Sequence, residues 1–307
     1  MLECIEYILF AFGLWTLIKG YLFAHYSFKS LRSNTDFSQY GLKSWALVTA
    51  PTDGIGLGFA EKLAFHGFNL VLVGRNYEKL MNLSKNLEQN FPIKTKSIVK
   101  DFSLSAKNSQ EFFQDIKSQT EGLDISIVVN NVGYGADGPL HTVTEADLLN
   151  INSLNIWPVV CLTKLYIPGM LNRKNRSAII NLSSLLGTFP VPYGSCYSAG
   201  KSFISAFSLI VAEEACYLSR QKNTNIDVLT VTPGWVDTPL TKKYKNMPCL
   251  IKKEEHVEGV LKALGKVNYT SGHWKHQLQS IYAALFRDQA SGSYAKKIKK
   301  VWKDSAK

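Results

Sequence analysis

Hydrophobic and polar positions divide the chain into three stretches. Over the first thirty residues the apolar run Tyr7 to Ile18 is unbroken, and after Lys19-Gly20 it resumes from Tyr21 to Ala24. That is about 18 residues, near the lower limit for crossing a bilayer. Glu3 and Glu6 precede the run, and Lys19, Lys29 and Arg32 follow it, which is the reverse of a cleaved signal peptide. The cations place the remainder of the chain on the cytosolic side. The pattern predicts a hydrophobic anchor over residues 1–29, with an interfacial or docked helix as the alternative, and a polar linker over 30–43. From Ser44 onward, short β-rich runs alternate with helical ones. Strands are expected at Ser44 to Thr49, Asn69 to Val73, Ile93 to Val99, Ile125 to Val129, Ala178 to Leu182 and Ile226 to Thr230. Helices are expected at Gly56 to Phe65, Tyr77 to Leu87, Ala106 to Gln119, Asn155 to Leu171 and Tyr197 to Leu218. After Val236 the pattern weakens to a lysine-rich loop, a helix near Glu254 to Leu264 and the stretch His273 to Phe286.

Strand-helix alternation is the pattern of an α/β, Rossmann-type doubly wound parallel sheet, here with an N-terminal hydrophobic anchor. Residues 44–240 form the expected dinucleotide-binding catalytic domain. Residues 241–290 follow the last strand's carboxyl end, where a substrate lid sits, and 291–307 read as a basic tail. With 307 residues, 46% of them hydrophobic, the chain can bury a full core. Five scattered cysteines give neither a disulfide framework nor a zinc spacing. The formal charge of +11 raises the question of nucleic acid, but the basic residues are not interleaved with aromatics along a groove-like segment, and no nucleic-acid partner is expected. Lys296, Lys297, Lys299, Lys300, Lys303 and Lys307 either rest on an anionic membrane surface or form a solvated tail. The loop Lys242, Lys243, Lys245, Lys252 and Lys253 is either solvated or suited to the phosphates of coenzyme A. His273 and His276 are three apart, but no further ligand stands near them, so no metal is expected.

The first strand runs into Ala50-Pro51-Thr52-Asp53-Gly54-Ile55-Gly56, a turn that would present backbone N–H groups and a helix N-terminus to a pyrophosphate. At the end of the second strand stands Gly74-Arg75 rather than an acid. No carboxylate repels a 2′-phosphate there and a guanidinium can grip one, which favours NADPH/NADP over NAD. Asn130-Asn131-Val132-Gly133 closes the fourth strand beside the expected crevice. Ala50 precedes a proline, which predicts β or polyproline geometry for it.

Tyr197-Ser198-Ala199-Gly200-Lys201 begins thirteen residues after Ser184, itself at a strand end. Residues at i and i+4 share a helical face, so the phenol and the ammonium can lie together. An adjacent cation is expected to lower the tyrosine pKa and make Tyr197 a usable general acid. The Ser184 hydroxyl would hold the substrate's carbonyl oxygen while hydride arrives from a nicotinamide. Asn155, opening the long helix after the fourth strand, could hold a water that resupplies the proton.

These elements resemble the short-chain dehydrogenase/reductase family from about Ser44 to Leu240. Thr52 to Gly56, Asn130 to Gly133 and the segment Leu162 to Met170 are similar to the branch of very-long-chain 3-oxoacyl-CoA reductases and 17-beta-hydroxysteroid dehydrogenases. The resemblance implies catalytic roles for Asn155, Ser184, Tyr197 and Lys201, and cofactor contacts at the 50 to 56 turn, Arg75, Asp101, Asn131, Val236 and Thr238. It also implies a lipophilic carbonyl substrate, acyl-CoA or steroid, at the endoplasmic reticulum membrane. A homodimer is compatible with this reading. Two departures stand out. Ala50 occupies the position of the family's first glycine, and Gly234 follows Pro233 where this branch often has an aromatic. A scaffold that keeps the fold without catalysis is the remaining alternative.

Overall fold

A computed structural model describes residues 2–29, 34–244 and 247–305. Ser30, Arg32, Lys245 and Lys307, which figure in the sequence reading, lie outside those residues. The central feature is one parallel sheet of strands β1 (Trp45–Thr49), β2 (Asn69–Gly74), β3 (Thr95–Val99), β4 (Ile125–Asn130), β5 (Ser177–Leu182), β6 (Ile226–Val231) and β7 (Tyr269–Thr270). Their order across the sheet is β3-β2-β1-β4-β5-β6-β7, so the winding reverses between β1 and β4. In such sheets ligands bind outside the carboxyl ends of the strands at that reversal.

Alternation along each strand divides the core in two. Ala46, Val48, Leu70, Leu72, Ile127, Val129 and Ile180 face one side, against Phe59 and Leu63 of α2 (Gly54–Phe65) and Val257 and Val260 of α8 (Lys253–Ala263). Leu47, Val71, Val128, Ile179 and Val228 face the other. There they meet Ile116 of α4 (Ser109–Gln119), Leu162 and Tyr166 of α6 (Trp157–Met170) and Val211 and Ala215 of α7 (Ser195–Lys222). Both faces are covered, and each fully buried Leu or Ile contributes about 1.5–3 kcal/mol. Helix α3 (Tyr77–Asn90) connects β2 to β3.

Four features differ from the sequence reading. The linker is partly built into the domain, because Phe37–Tyr40 forms a short 3-10 helix whose Tyr40 hydroxyl donates to Asp227 at 2.7 Å, beside the Arg176–Asp227 ion pair at 2.6 Å. Helical structure begins before the expected start at Asn155: α5 (Glu145–Ile151) and one π turn over Asn152–Ile156 precede α6. Strand β7 was not expected, since two residues give no readable alternation. The basic tail is an ordered helix, α10 (Arg287–Ser305), whose Ala290 and Ile298 are buried. It follows α9 (Trp274–Leu285) and packs against it. The N-terminal apolar run is a single helix, α1 (Leu2–Lys29).

Ala50 has φ +51°, in the left-handed region and not the extended geometry expected before a proline. Two bonds hold it there: its N–H donates to the Val73 carbonyl at 2.8 Å, and its carbonyl accepts from the Asn131 amide at 3.2 Å. Glycine would adopt this φ without the Cβ clash, at some cost in unfolded-chain entropy. Ala50→Gly is therefore expected to stabilise the protein by about 0.5–1 kcal/mol. Urea unfolding should show a raised midpoint with an unchanged slope, and a lowered midpoint would contradict the assignment of strain.

Candidate active site

The crevice at the sheet reversal is lined by Ala50, Thr52 and Asp53 from the first turn, Gly74 and Arg75 after β2, Asp101 after β3 and Val132 to Tyr134 after β4. Asp53 caps α2, accepting from the Gly54 N–H at 2.9 Å. Gly56 cannot carry a side chain: a Cβ there would lie 2.2 Å from the Ala50 carbonyl oxygen and 2.5 Å from Asn131 Nδ2. The turn is held against the β4 loop by Asn131, whose amide donates to the Thr49 carbonyl at 3.0 Å. Thr49 Oγ1 in turn receives the Asn131 and Val132 N–H groups at 2.8 and 3.0 Å. Thr238 packs against Gly54 from the far bank.

The remaining cofactor candidates lie elsewhere. The Ile55 side chain packs into the core. Asn130 is buried and its amide donates to Asn181 at 2.8 Å, in a network that continues to Ser208. Val236 is buried and pairs with Ile251. Their side chains serve packing rather than the crevice wall. Sequence reasoning missed Asn76, Lys79 and Lys100, which line the crevice beside Arg75. Asn76 and Lys79 stand one and four positions after Arg75, so the first turn of α3 was the available signal. The donor chemistry fits a dinucleotide: backbone N–H groups at the α2 N-terminus, and exposed cations with no acid at the end of β2.

Beyond the crevice, Ser184 and Tyr197 line a second cavity. The end of β5 is stitched to the start of α7 by two bonds, Ser183 Oγ to the Lys201 carbonyl and Ser202 Oγ to the Gly187 carbonyl, both 2.6 Å. This fixes Ser184 next to the first turn of α7, where it shares the cavity with the Tyr197 phenol. Lys201 is buried and donates from Nζ to the Leu182 carbonyl at 2.8 Å, 5.8 Å from the centre of the Tyr197 ring. Asn155 is fully buried in the π turn. Its Nδ2 donates to the Tyr134 carbonyl at 2.8 Å and its Oδ1 accepts the Tyr134 N–H at 3.1 Å. The side chain thereby clamps the β4 loop. π turns concentrate at functional sites because they re-aim one residue without ending the helix.

Burial pushes the Tyr197 phenol above its ordinary pKa; the Ser184 hydroxyl opposes this, and the Asp137 carboxylate adds to it. The lowering expected from Lys201 does not prevail, because burial outweighs it. Burial lowers the Lys201 ammonium to about 8. The phenol is accordingly protonated at neutral pH, the state a proton donor needs.

The cavity's outer wall comes from the chain after β6. Trp235 stacks on Tyr294 of α10 with ring centres 5.9 Å apart and lies 4.8 Å from the Tyr244 ring. Gly234 is obligatory, since a Cβ would lie 2.6 Å from Gln279 Oε1 and 2.7 Å from the His276 ring. The aromatic expected after Pro233 is thus supplied by the next residue, Trp235. His276 Nε2 lies 3.1 Å from the Trp235 carbonyl and 3.2 Å from that of Cys249, while His273 caps α9 by accepting the Lys275 N–H. Lys243 pairs with Asp137 at 2.5 Å across the cavity mouth, and Tyr244 donates to the same carboxylate oxygen. The wall after β6 thus includes Tyr294 of α10, beyond residues 241–290.

Residues 44–248 match the short chain dehydrogenase family model. The very-long-chain 3-oxoacyl-CoA reductase of Macaca fascicularis is 36% identical over 278 residues, which cover 85% of each chain. The chain is a short-chain dehydrogenase/reductase. Among solved structures, a 7beta-hydroxysteroid dehydrogenase superposes with a TM-score of 0.71 at 25% identity, over 84% of this chain and 98% of its own. A short-chain dehydrogenase from Sphingobium yanoikuyae, solved with NADPH, superposes with a TM-score of 0.67 at 23% identity, over 79% and 93% of the two chains. Membership makes this reductase an oxidoreductase of that family.

The lowered Lys201 value sets the direction of the pH response. Below about 8 the ammonium carries its charge, and as pH rises through that value the charge is lost. For the free enzyme, kcat/KM for the nicotinamide cofactor is expected to fall over that window, and Lys201→Arg should move the falling limb to higher pH. A profile flat to pH 10 or beyond would count against a charged role for Lys201.

Proposed function

We propose that this reductase uses NADPH to reduce a lipophilic ketone, the 3-keto group of a long-chain 3-oxoacyl-CoA, as a step of fatty-acid elongation. The observation that carries the reading is the adjacency of Ser184 and Tyr197 to a cavity walled by Leu185, Leu186, Trp235, Leu240, Tyr244 and Tyr294. A proton donor and an oxyanion partner thus open onto a largely apolar space suited to a hydrocarbon chain. The 36% identical relative named very-long-chain 3-oxoacyl-CoA reductase supports the acyl-CoA assignment. Arg75 and Lys79 support the phosphorylated cofactor.

When bound, the reduced nicotinamide supplies hydride to the carbonyl carbon. Charge then develops on the carbonyl oxygen, where the Ser184 hydroxyl donates a hydrogen bond and the Tyr197 phenol delivers its proton. Lys201 sits one helical turn on and supplies positive potential beneath the phenolate that remains. Asn155 acts one step removed: by holding both backbone groups of Tyr134 it keeps the β4 loop, and with it Gly133, against the crevice.

For the N-terminal segment, we take α1 as a membrane anchor at the endoplasmic reticulum with the catalytic domain in the cytosol. Its 28 residues span about 42 Å at 1.5 Å per residue, and its apolar side chains, Phe10 and Leu17 among them, are exposed. The apolar stretch Ile5–Ile18, which includes Glu6, is shorter than a full span. Among the described residues, the one helix with the length and hydropathy of a span is α7, and it packs against the sheet.

Purified full-length protein should oxidise NADPH with long-chain 3-oxoacyl-CoA and much more slowly with a 17-ketosteroid. The reverse preference would move the assignment to the steroid class, and turnover of neither would remove both. Tyr197→Phe should cut kcat by about 10²–10⁴ with NADPH affinity retained. Arg75→Ala should raise KM for NADPH while leaving the weak use of NADH unchanged; equal loss with both cofactors would argue against a 2′-phosphate contact.

A further inference from the structure

Helix α9 is built inside out. Its buried positions are His276, Gln277, Ser280 and Ala283, the first three polar. Its outward positions are Trp274, Leu278, Tyr282 and Leu285, followed by Phe286, with exposures of 50%, 48%, 49%, 71% and 49%. The spacing 274, 278, 282, 285, 286 keeps these five on one face. A buried polar atom without a partner costs about 1–3 kcal/mol, and His276 Nδ1 and Gln277 Nε2 are two such atoms. A helix surrounded only by water gains by the opposite orientation. A contiguous exposed patch of this kind marks a surface that something covers.

Three observations identify what covers it. First, α9 is in contact with α1, and Phe28 at the end of α1 shares a surface groove with Trp274 at the start of α9. The apolar stripe therefore begins where the N-terminal helix ends. Second, the charge is mainly positive, the exceptions being Glu255 and Glu258 in the groove beside Trp274 and Asp288 after Arg287. Helix α9 contains no acidic residue, Lys275 Nζ lies 5.7 Å from the Trp274 ring centre, and Arg287 follows Phe286. The next helix exposes Lys296, Lys299, Lys300 and Lys303. A second copy docked on this face would bring like charges together, whereas anionic headgroups neutralise them. Third, Trp274 and Tyr282 combine an apolar ring with a polar tip, the side-chain type enriched at the membrane–water boundary.

We propose that α9 lies flat in the headgroup region of an anionic bilayer with the Trp274, Leu278, Tyr282, Leu285 and Phe286 face embedded. The protein then meets the membrane at two places, α1 and α9. The inner side of α9 contributes Ala283 to the apolar cluster with Leu185 and Phe189, so the embedded helix backs directly onto the wall of the reductive cavity. The proposal rests on the reading of α1 as a membrane segment, and the following experiment separates the two.

Spin labels are placed singly at Leu14→Cys, Leu278→Cys, Tyr282→Cys and Glu78→Cys in the full chain, with the five native cysteines replaced by serine throughout. Each protein is reconstituted into phosphatidylcholine–phosphatidylserine vesicles, and collision rates are measured with oxygen, which partitions into lipid, and with a water-soluble nickel chelate. Unchanged circular dichroism establishes that each variant is folded. The labels at 278 and 282 are expected to give an oxygen-to-nickel ratio several-fold above that at 78, which lies on exposed α3. A ratio equal to that at 78 overturns the proposal. Shielding from both agents also overturns it, with dipolar broadening pointing to a second copy and its absence pointing to α1 folded over the face. A lipid signature at Leu14 with an aqueous one at 278 leaves the anchor standing and removes the second contact. The opposite pair removes the anchor and keeps the α9 contact.

Discussion

Asn131 donates its side-chain amide to the Thr49 and Ala50 carbonyls, while Thr49 takes the N–H groups of Asn131 and Val132 onto its hydroxyl. These bonds tie the loop after β1 to the loop after β4 at the place where the winding of the sheet reverses. Strands diverge there, and without a tie the two loops would be free to move apart. Everything at the carboxyl edge is referred to this junction. It sets the Ala50 carbonyl against Gly56, which fixes the entry of α2, and it sets the start of the β4 loop, whose next residues are clamped by Asn155. Lys201 and Tyr197 reach the same edge from α7, and Ser184 reaches it from β5. Removing the Asn131 amide would leave the buried Thr49 hydroxyl in place but free the Ala50 peptide from its strained conformation, opening the turn.

Much of this was legible in the chain itself. Six strands and the helices between them could be read because parallel strands buried on both faces appear as short continuous apolar runs, such as Ile125 to Val129. The pairing of Tyr197 with Lys201 followed from helical spacing, and their nearness to Ser184 from its place at a strand end. Arg75 was legible because the residue after the second strand has few possible neighbours.

What escaped the reading escaped it for physical reasons. The two residues of β7 are too few for any period, and they pair only because β6 presents an open edge. The π turn at Asn155 gives no signal of its own in the apolar pattern, so the helix was expected to start there and α5 before it was not anticipated. The extended geometry expected of Ala50 failed because a local steric preference of about a kcal/mol or two yields to two tertiary hydrogen bonds. The tail was read by its lysines. Its packing depends instead on Ala290, Tyr294 and Ile298, spaced by four, whose partners Phe189 and Trp235 are far away in sequence. The Tyr197 proton follows the same logic: spacing put a cation nearby, but burial by residues distant in sequence raises the phenol's pKa.

The ion pair across the cavity mouth shows how such an enclosure can be both closed and permeable. Lys243 is two-fifths exposed while Asp137 is largely covered, so water and salt reach the bond from one side. A pair of that kind holds by no more than about 1 kcal/mol, little above thermal energy. The aromatic stack of Trp235 and Tyr294 behind it has no such exposure, and its wall moves only when α10 does. The mouth is thus bounded by two kinds of contact: a charged pair that water and salt can reach, and a ring-on-ring wall that they cannot.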